Sequence, residues 1–309
     1  MGKRPDTGLG DFEVCQEEFS SIINEKSRVE KVATGFQFVE GPVWNLQEGF
    51  LLFSDIPADQ ILRWSPKEEV TVFRKPSGNS NGLTYDRKGR LIVCQHGNRR
   101  VTRIEKDGTE TVLADRYRGK RLNSPNDVVV KSEGSVYFTD PPYGIGASDD
   151  LTRPEKQELP FQGVFRLDPE EGELTLLVDD FDRPNGLAFS PDEKVLYVAD
   201  SYFGNRHIRA FDVSPEGMLH NSRVFAETKT EEPAPPDGMK VDVEGNLYVS
   251  AAGGIWVFSK DGRKLGKIRT PETPANCAWG GADMKTLYIT AVTSLYLIRL
   301  KIPGVKTVP

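Results

Sequence analysis

Little in this chain speaks for a redox, nucleic-acid or membrane protein. Its three cysteines, Cys15, Cys94 and Cys277, are odd in number and lack metal-ligand spacing. No disulfide framework is therefore expected, and a reducing compartment fits. The three histidines, His96, His207 and His220, show no HExxH or comparable spacing, which argues against a histidine-held zinc. No stretch of about 18 apolar residues occurs, and the opening Met1–Thr7 has no apolar signal core. The expectation is a soluble, cytoplasmic protein without a membrane partner. Basic residues are outnumbered, 40 Lys and Arg against 46 Asp and Glu, for a net charge of −6 without a long basic run. Nucleic acid is not an expected partner, because phosphate neutralisation needs clustered cations. Neither a dinucleotide glycine fingerprint nor a phosphate loop is present.

What the sequence does contain is a repeat. Six times a short polar step is followed by an apolar run, a tight turn and a second apolar run. The steps begin at Glu40, Asn81, Asn126, Asn185, Asp237 and Asn276, and the second runs include Phe50–Phe53, Leu91–Cys94, Val136–Phe138, Leu196–Val198, Leu247–Val249 and Leu287–Ile289. Asp-Gly and Pro-Asp turns, such as Lys106–Gly108, Ser190–Glu193 and Lys260–Gly262, supply the backbone angles of tight hairpins. A strand repeat of this length, with four strands per copy, predicts an all-β, six-bladed β-propeller. The propeller is expected over residues 29–303, with a helical extension at 1–28 and a tail at 304–309.

The ends of the repeat fit together. The sixth copy supplies three strands, the last at Ser294–Leu300, while a spare strand, Val29–Ala33, precedes the first copy. That strand is expected to complete the last blade and close the ring, leaving no open seam. Ahead of it, Asp11–Lys26 puts Phe12, Cys15, Phe19, Ile22 and Ile23 on one helical face, with Asp11 as N-cap. A short amphipathic helix packed on the propeller is predicted; a membrane role is the weaker reading, since the stretch is acidic. The third copy carries an insertion between Tyr143 and Gly163, and the segments at Tyr202–His207 and Glu231–Pro236 are also long. Such loops would build a lid over the central opening.

Because the first strand of each blade lines the channel, Glu40, Asn81, Asn126, Asn185, Asp237 and Asn276 are expected to form one ring. Two carboxylates and four amides, poor in nitrogen and sulfur donors, suit a hard cation: Ca²⁺ first, with Mg²⁺ and Mn²⁺ next and Zn²⁺ last. Asp55, Asp140 and Asp200, at the ends of second strands, add negative potential. Turn chemistry alone would place Asn-Gly and Asp-Gly at strand starts. Glu is a poor turn residue, however, and Glu40 matches Asp237 in position. Gly78-Asn-Ser80-Asn-Gly82 matches G-x-S-x-G, but no helix follows, so Ser80 is not read as a nucleophile. His96 follows the inner strand Leu91–Cys94; it is either a loop residue or a substrate contact.

These residues resemble the gluconolactonase and senescence-marker-protein (regucalcin) family, the bacterial-type gluconolactonases most of all. The resemblance runs from Phe36 to Leu300. It is carried by Glu40–Trp44, Arg121–Val128, Thr139–Gly144, Arg183–Leu187 and Pro236–Met239. It implies a divalent-metal lactonase acting on a small sugar lactone, as monomer or homodimer, with Glu40, Asn185 and Asp237 as ligands. Asn126 would be a further ligand or a substrate contact. Where animal members carry a substrate-binding Arg, this chain has Ser124, and Arg121 is the candidate replacement. On this reading the cation polarises the lactone carbonyl, Asp237 acts as general base, and Asn126, His96 and Tyr143 hold the ring hydroxyls. Two other classes stay open: a paraoxonase-like esterase or phosphotriesterase, and a non-catalytic metal-dependent sugar-binding propeller. The polar third-copy insertion argues against the larger apolar substrates of the former.

Overall fold

Apolar runs rich in β-branched and aromatic residues, broken by turns, form inner strands buried along nearly their whole length, such as Phe50–Asp55 and Thr286–Ala291. Outermost strands such as Glu68–Arg74 and Leu219–Glu227 are largely exposed. In the computed structural model, which describes residues 11–24, 26–146, 154–232 and 234–306, the strands assemble into six antiparallel blades, five of four strands and one, blade five, of five. Blade one comprises Val39–Asn45, Phe50–Asp55, Gln60–Ser65 and Glu68–Arg74. Blade two is Ser80–Tyr85, Leu91–Gln95, Arg100–Ile104 and Glu110–Ala114, followed by a small hairpin, Arg116–Tyr117 with Lys120–Arg121. Val128–Val130, Val136–Asp140, Gln162–Leu167 and Leu174–Phe181 make blade three. Blade four is Pro184–Phe189, Val195–Asp200, His207–Val213 and Leu219–Glu227. Met239–Val241, Leu247–Ala251, Gly254–Phe258 and Lys264–Arg269 form blade five, and Pro274–Gly280, Thr286–Ala291 and Ser294–Arg299 begin blade six. The fold is the expected six-bladed propeller.

Closure is also as expected. Glu30–Thr34 pairs antiparallel with Ser294–Arg299 as the fourth strand of blade six. Across the same seam Trp44 of blade one stacks on Tyr288 of blade six, with centroids 5.2 Å apart and planes 11° apart. An aromatic pair of this kind contributes about 0.5–1.5 kcal/mol beyond its buried area.

The segment before it departs from the predicted helix. Phe12–Val14 is a strand that pairs with Lys264–Arg269 as a fifth strand of blade five. Only Glu17–Ser21 is helical, as a short 3₁₀ turn. Phe12, Phe19, Ile22 and Ile23 are buried, as their apolar character demands, but Cys15 is exposed. The free edge of blade five offers unpaired backbone groups, and satisfying them outweighs a helical period of a few residues. The expected extension and tail reach into residues 1–10 and 307–309, which lie outside the described residues, as does part of the third-blade insertion.

In four blades the inner strand bulges near its start: between Glu40 and Val43, Ser80 and Leu83, Pro184 and Leu187, and Pro274 and Asn276. A bulge bends the strand and re-aims a side chain. Here it brings the first residues of each blade to the channel axis.

Candidate active site

One mouth of the channel opens into a cavity of about 750 Å³. Its floor is set by equivalent positions of the inner strands. The residue before each ring position pairs with the end of the second strand: Val39 with Asp55, Ser80 with Gln95, Pro184 with Asp200, and Pro274 with Ala291. The ring is therefore Glu40, Asn81, Asn126, Asn185, Asp237 and Ala275. Backbone bonds between blades confirm the register, since Gly82 N–H donates to the Asn126 carbonyl and Gly238 N–H to the Ala275 carbonyl, both at 2.8 Å. Glu40, Asn81, Asn126, Asn185 and Asp237 all line the cavity, joined by His96 and Tyr143.

Asn276 is a correction. It does not occupy the ring; blade six puts Ala275 there and Asn276 one step deeper. The sequence Pro274-Ala275-Asn276 aligns with Pro184-Asn185-Gly186 and Pro236-Asp237-Gly238, so looking for an oxygen-bearing side chain shifts the register by one. The deeper layer reads Gly41, Gly82, Asp127, Gly186, Gly238 and Asn276. In it Asn276 and Asp127 behave alike, each accepting the next residue's N–H, from Cys277 at 2.8 Å and Val128 at 2.9 Å. Glycine is required at Gly238, where a Cβ would collide with the Asn276 side chain. The Asn276 amide donates to Glu40 Oε2 at 2.9 Å and so supports the ring from below.

Charge is concentrated here. Glu40 is raised to about 7, first by burial and then by the Asp127 carboxylate. Asp237 is raised well above the ordinary carboxylate range by burial, by Glu40 and by Asp127. The second carboxylate oxygen of Asp127 is buried and has no hydrogen-bond partner. Asn185 hydrogen-bonds the Asp237 carboxylate. With Asp237 ionised the Asn185 N–H is the donor, which leaves the Asn185 amide oxygen free for another partner. Burial pushes His96 down to about 4, so it is neutral near pH 7. Its Nε2 lies 3.2 Å from the Asn81 amide nitrogen. With the amide so oriented Nε2 accepts, and the ring proton sits on Nδ1. The Tyr143 hydroxyl is raised by burial and by Asp237.

Arg121 is not brought into this group. Its guanidinium donates to the Asn98 carbonyl at 2.9 Å, and it does not line the cavity. Ser124 instead receives the Gly144 N–H at 2.8 Å and donates to the Pro141 carbonyl, fixing the loop that carries Tyr143. Asp55, Asp140 and Asp200 tie down the loop entering their own blade. They accept the N–H groups of Phe38, Asn123 and Arg183 at 3.1, 2.7 and 3.0 Å. Ser80 sits behind Ser54, 2.9 Å from its hydroxyl oxygen and buried, and it is no elbow nucleophile.

The segments Tyr202–His207 and Glu231–Pro236, expected to overhang the opening, do supply Phe203 and Pro235 to the rim, but its apolar character and its blade-one members were not foreseen. Phe38, Ile56, Phe203 and Pro235 line the cavity above the polar floor, and Phe38 and Phe203 are 37% and 38% exposed. They come from blades one, four and five rather than from the third-blade insertion. The exposure of large apolar side chains marks Phe38 and Phe203.

A six-bladed propeller with two carboxylates and three amides converging at one mouth defines a class: small-molecule propellers whose site is built from oxygen donors. The sequence profile of the SMP-30/Gluconolactonase/LRE-like region matches residues 38–293, and the chain belongs to that family. It is 36% identical to a gluconolactonase of Zymomonas mobilis, over 96% of this chain and 88% of that one. It is 30% identical to human regucalcin over 81% and 82% of the respective chains. A solved gluconolactonase from Xanthomonas campestris superposes with a TM-score of 0.86 at 36% identity, covering 94% of each chain.

Proposed function

We propose that this protein hydrolyses a small sugar lactone to its aldonic acid with the aid of a divalent cation, Ca²⁺ before Mg²⁺ or Mn²⁺. Family membership supports the reaction class. The observation that carries the cation is the meeting of buried Glu40 and half-buried Asp237 at one mouth, over buried Asp127. Buried carboxylates this close repel one another and cannot all ionise without a compensating charge.

The donor set fits such an ion. Among the described residues no three His, Cys, Asp or Glu side chains gather as a metal cluster. The ligands would be the Glu40 and Asp237 carboxylates with the Asn185 and Asn126 amide oxygens, a set for a hard cation, with zinc last. Such an ion supplies Lewis acidity toward the lactone carbonyl.

The chain's own residues do the rest. Asp237, made more basic by its surroundings, takes the proton from the attacking water as the water oxygen bonds the carbonyl carbon. The ring C–O bond then breaks, and the departing ring oxygen takes a proton back from Asp237. Asn126, neutral His96 and Tyr143 hold the sugar hydroxyls, while Asn276 fixes Glu40. The test is a panel of γ- and δ-sugar lactones assayed after chelation and single-metal add-back. Turnover should vanish and return with one cation. Lack of turnover on every lactone despite stoichiometric metal would favour a sugar-binding propeller instead.

The rim favours a second reading. Phe38, Ile56, Phe203 and Pro235 would accept an aryl or alkyl group, as an esterase requires. A higher kcat/KM on an aryl ester than on any sugar lactone would move the protein to that class.

A further inference from the structure

The opposite mouth of the channel holds a second cavity, of about 470 Å³, within the roughly 300–1,000 Å³ typical of small-ligand sites. Its collar takes one residue from each blade at the same height: Val43, Thr84, Val129, Ala188, Lys240 and Ala278. Each stands three residues beyond its ring position. Five of the blades supply a neutral side chain there, and blade five alone supplies a charge. Trp44, Phe189 and Trp279 continue the wall outward.

Lys240 is placed like a ligand group. Its Nζ donates to the Met239 carbonyl at 2.9 Å and reaches the Asn276 amide oxygen at 3.5 Å. Among the described residues it has no carboxylate within ion-pair distance, and Glu40 feels its charge only from farther along the channel. The carboxylates on this rim are already engaged. Glu193 meets Arg87 at 3.5 Å and the Ser132 N–H at 2.8 Å, and Asp192 accepts from Ser190. The wall is aromatic, and within it the indole N–H groups of Trp44 and Trp279 are buried without a hydrogen-bond partner. A native interior leaves few such donors unmatched.

We propose that this second mouth binds a small amphipathic anion, a monocarboxylate with an apolar body. Its carboxylate sits on Lys240, and the apolar body lies against Val43, Val129, Ala188 and Ala278. Charge complementarity fixes the head group, because an ammonium in an apolar collar gains most from a desolvated carboxylate. The collar favours an apolar body over a polyol, since Thr84 is the one hydroxyl among its six residues and the polar groups farther out, Ser190 with Asp192 and Arg87 with Glu193, are paired with one another. The ligand is therefore distinct from the substrate and product of the catalytic mouth, and the proposal stands independently of the lactonase reading.

The test uses the full chain as purified, with octanoate as probe and 8-bromooctanoate as quencher. Trp44 and Trp279 line this cavity, whereas no tryptophan lines the catalytic one, so bromine quenching excludes the catalytic mouth. Because Trp44 and Trp64 also line a cavity on the outer side of blade one, loss of quenching in Lys240→Met assigns the ligand to this mouth. Saturable quenching and one-to-one calorimetric binding of octanoate are expected. Lys240→Met should weaken octanoate at least about tenfold, a change of about 1.4 kcal/mol, and Lys240→Arg should restore it. Should Lys240→Met fail to fold, octyltrimethylammonium on the unmutated protein decides, and it should bind at least about tenfold more weakly than octanoate. The proposal falls if quenching never saturates, if octanoate binds without quenching, or if Lys240→Met or the cationic probe binds as well.

Discussion

The same six inner strands present two rings to one channel, and the rings differ in chemistry in most blades. At the catalytic mouth stand Glu40, Asn81, Asn126, Asn185, Asp237 and Ala275; three residues along stand Val43, Thr84, Val129, Ala188, Lys240 and Ala278. Backbone geometry is shared, so side chains alone divide the channel into an acidic end and an apolar end. Between them lies a layer that is glycine in four blades, filled by Asp127 and Asn276 in the other two. Small residues let neighbouring strands close on the axis, and the two polar side chains plug it. A propeller thus needs no change of fold to carry two unrelated sites, only a filled layer between them.

The largest expected effect removes both mouths at once. Deleting residues 1–34 takes away the Glu30–Thr34 strand that closes blade six, so the cooperative thermal transition should be lost. A truncated protein with unchanged unfolding would show that closure does not depend on this strand. Asp237→Asn should strike the catalytic mouth alone. An amide oxygen can coordinate but cannot accept a proton, so turnover should fall about 10²–10⁴-fold even in excess metal. Full recovery at high metal would leave Asp237 as a ligand only.

The third prediction uses pH. Glu40 and Asp140 are raised to about 7, and Asp237 is raised too. The folded, chelated protein therefore holds protons that the unfolded chain has released, and its stability should fall as pH rises from about 5 to about 8. His96, pushed to about 4 by burial, and His207, also lowered by burial, work in the opposite sense, adding stability as pH rises toward their ordinary value of 6.5. They are two groups against Glu40, Asp140, Asp237 and Asp242, which burial also raises. A bound dication relieves Glu40 and Asp237, so the Tm gap between metal-loaded and chelated protein should widen with pH. A constant gap across pH 5, 6.5 and 8 would separate these carboxylates from the cation.

The plug itself comes next. Gly238→Ala drives a methyl into Asn276 and should cost roughly 1–3 kcal/mol in denaturant unfolding. Adding Asn276→Gly should return part of that stability, while metal affinity stays weakened because Glu40 has lost its support. If the double variant is no more stable than the single one, the collision is not the cause. Ser80→Ala should have the smallest effect, about 1 kcal/mol of stability with lactone turnover intact. A dead enzyme here would reopen the serine-hydrolase reading.

Much of the architecture was legible because each blade repeats one pattern of apolar runs and turns, and strand identity follows from that period. The ring was legible for five positions, where Glu, Asn or Asp follows a channel-entering bend. It failed at Asn276 because side-chain type was used to find the register, whereas pairing with the second strand sets it. The Asp11–Lys26 helix failed because a local period cannot register a free sheet edge elsewhere in the chain. Arg121 was misplaced for a related reason: it lies in a hairpin after blade two, and loop direction is not encoded in composition. Half of the apolar rim, Phe203 and Pro235, lies in loops whose length marked them, whereas Phe38 and Ile56 flank ordinary blade-one strands and have no local sequence signal.

The strap formed by residues 11–34 also has a mechanical meaning. Phe12–Val14 grips the outer edge of blade five and Glu30–Thr34 grips that of blade six, so one short length of chain fastens two adjacent blades. Tension applied from its N-terminal side would peel the first grip before loading the second. The ring would open only after both had released. The molecule therefore resists being pulled apart in two stages, like a buckle with a keeper behind it, and the first can give way while the channel remains whole.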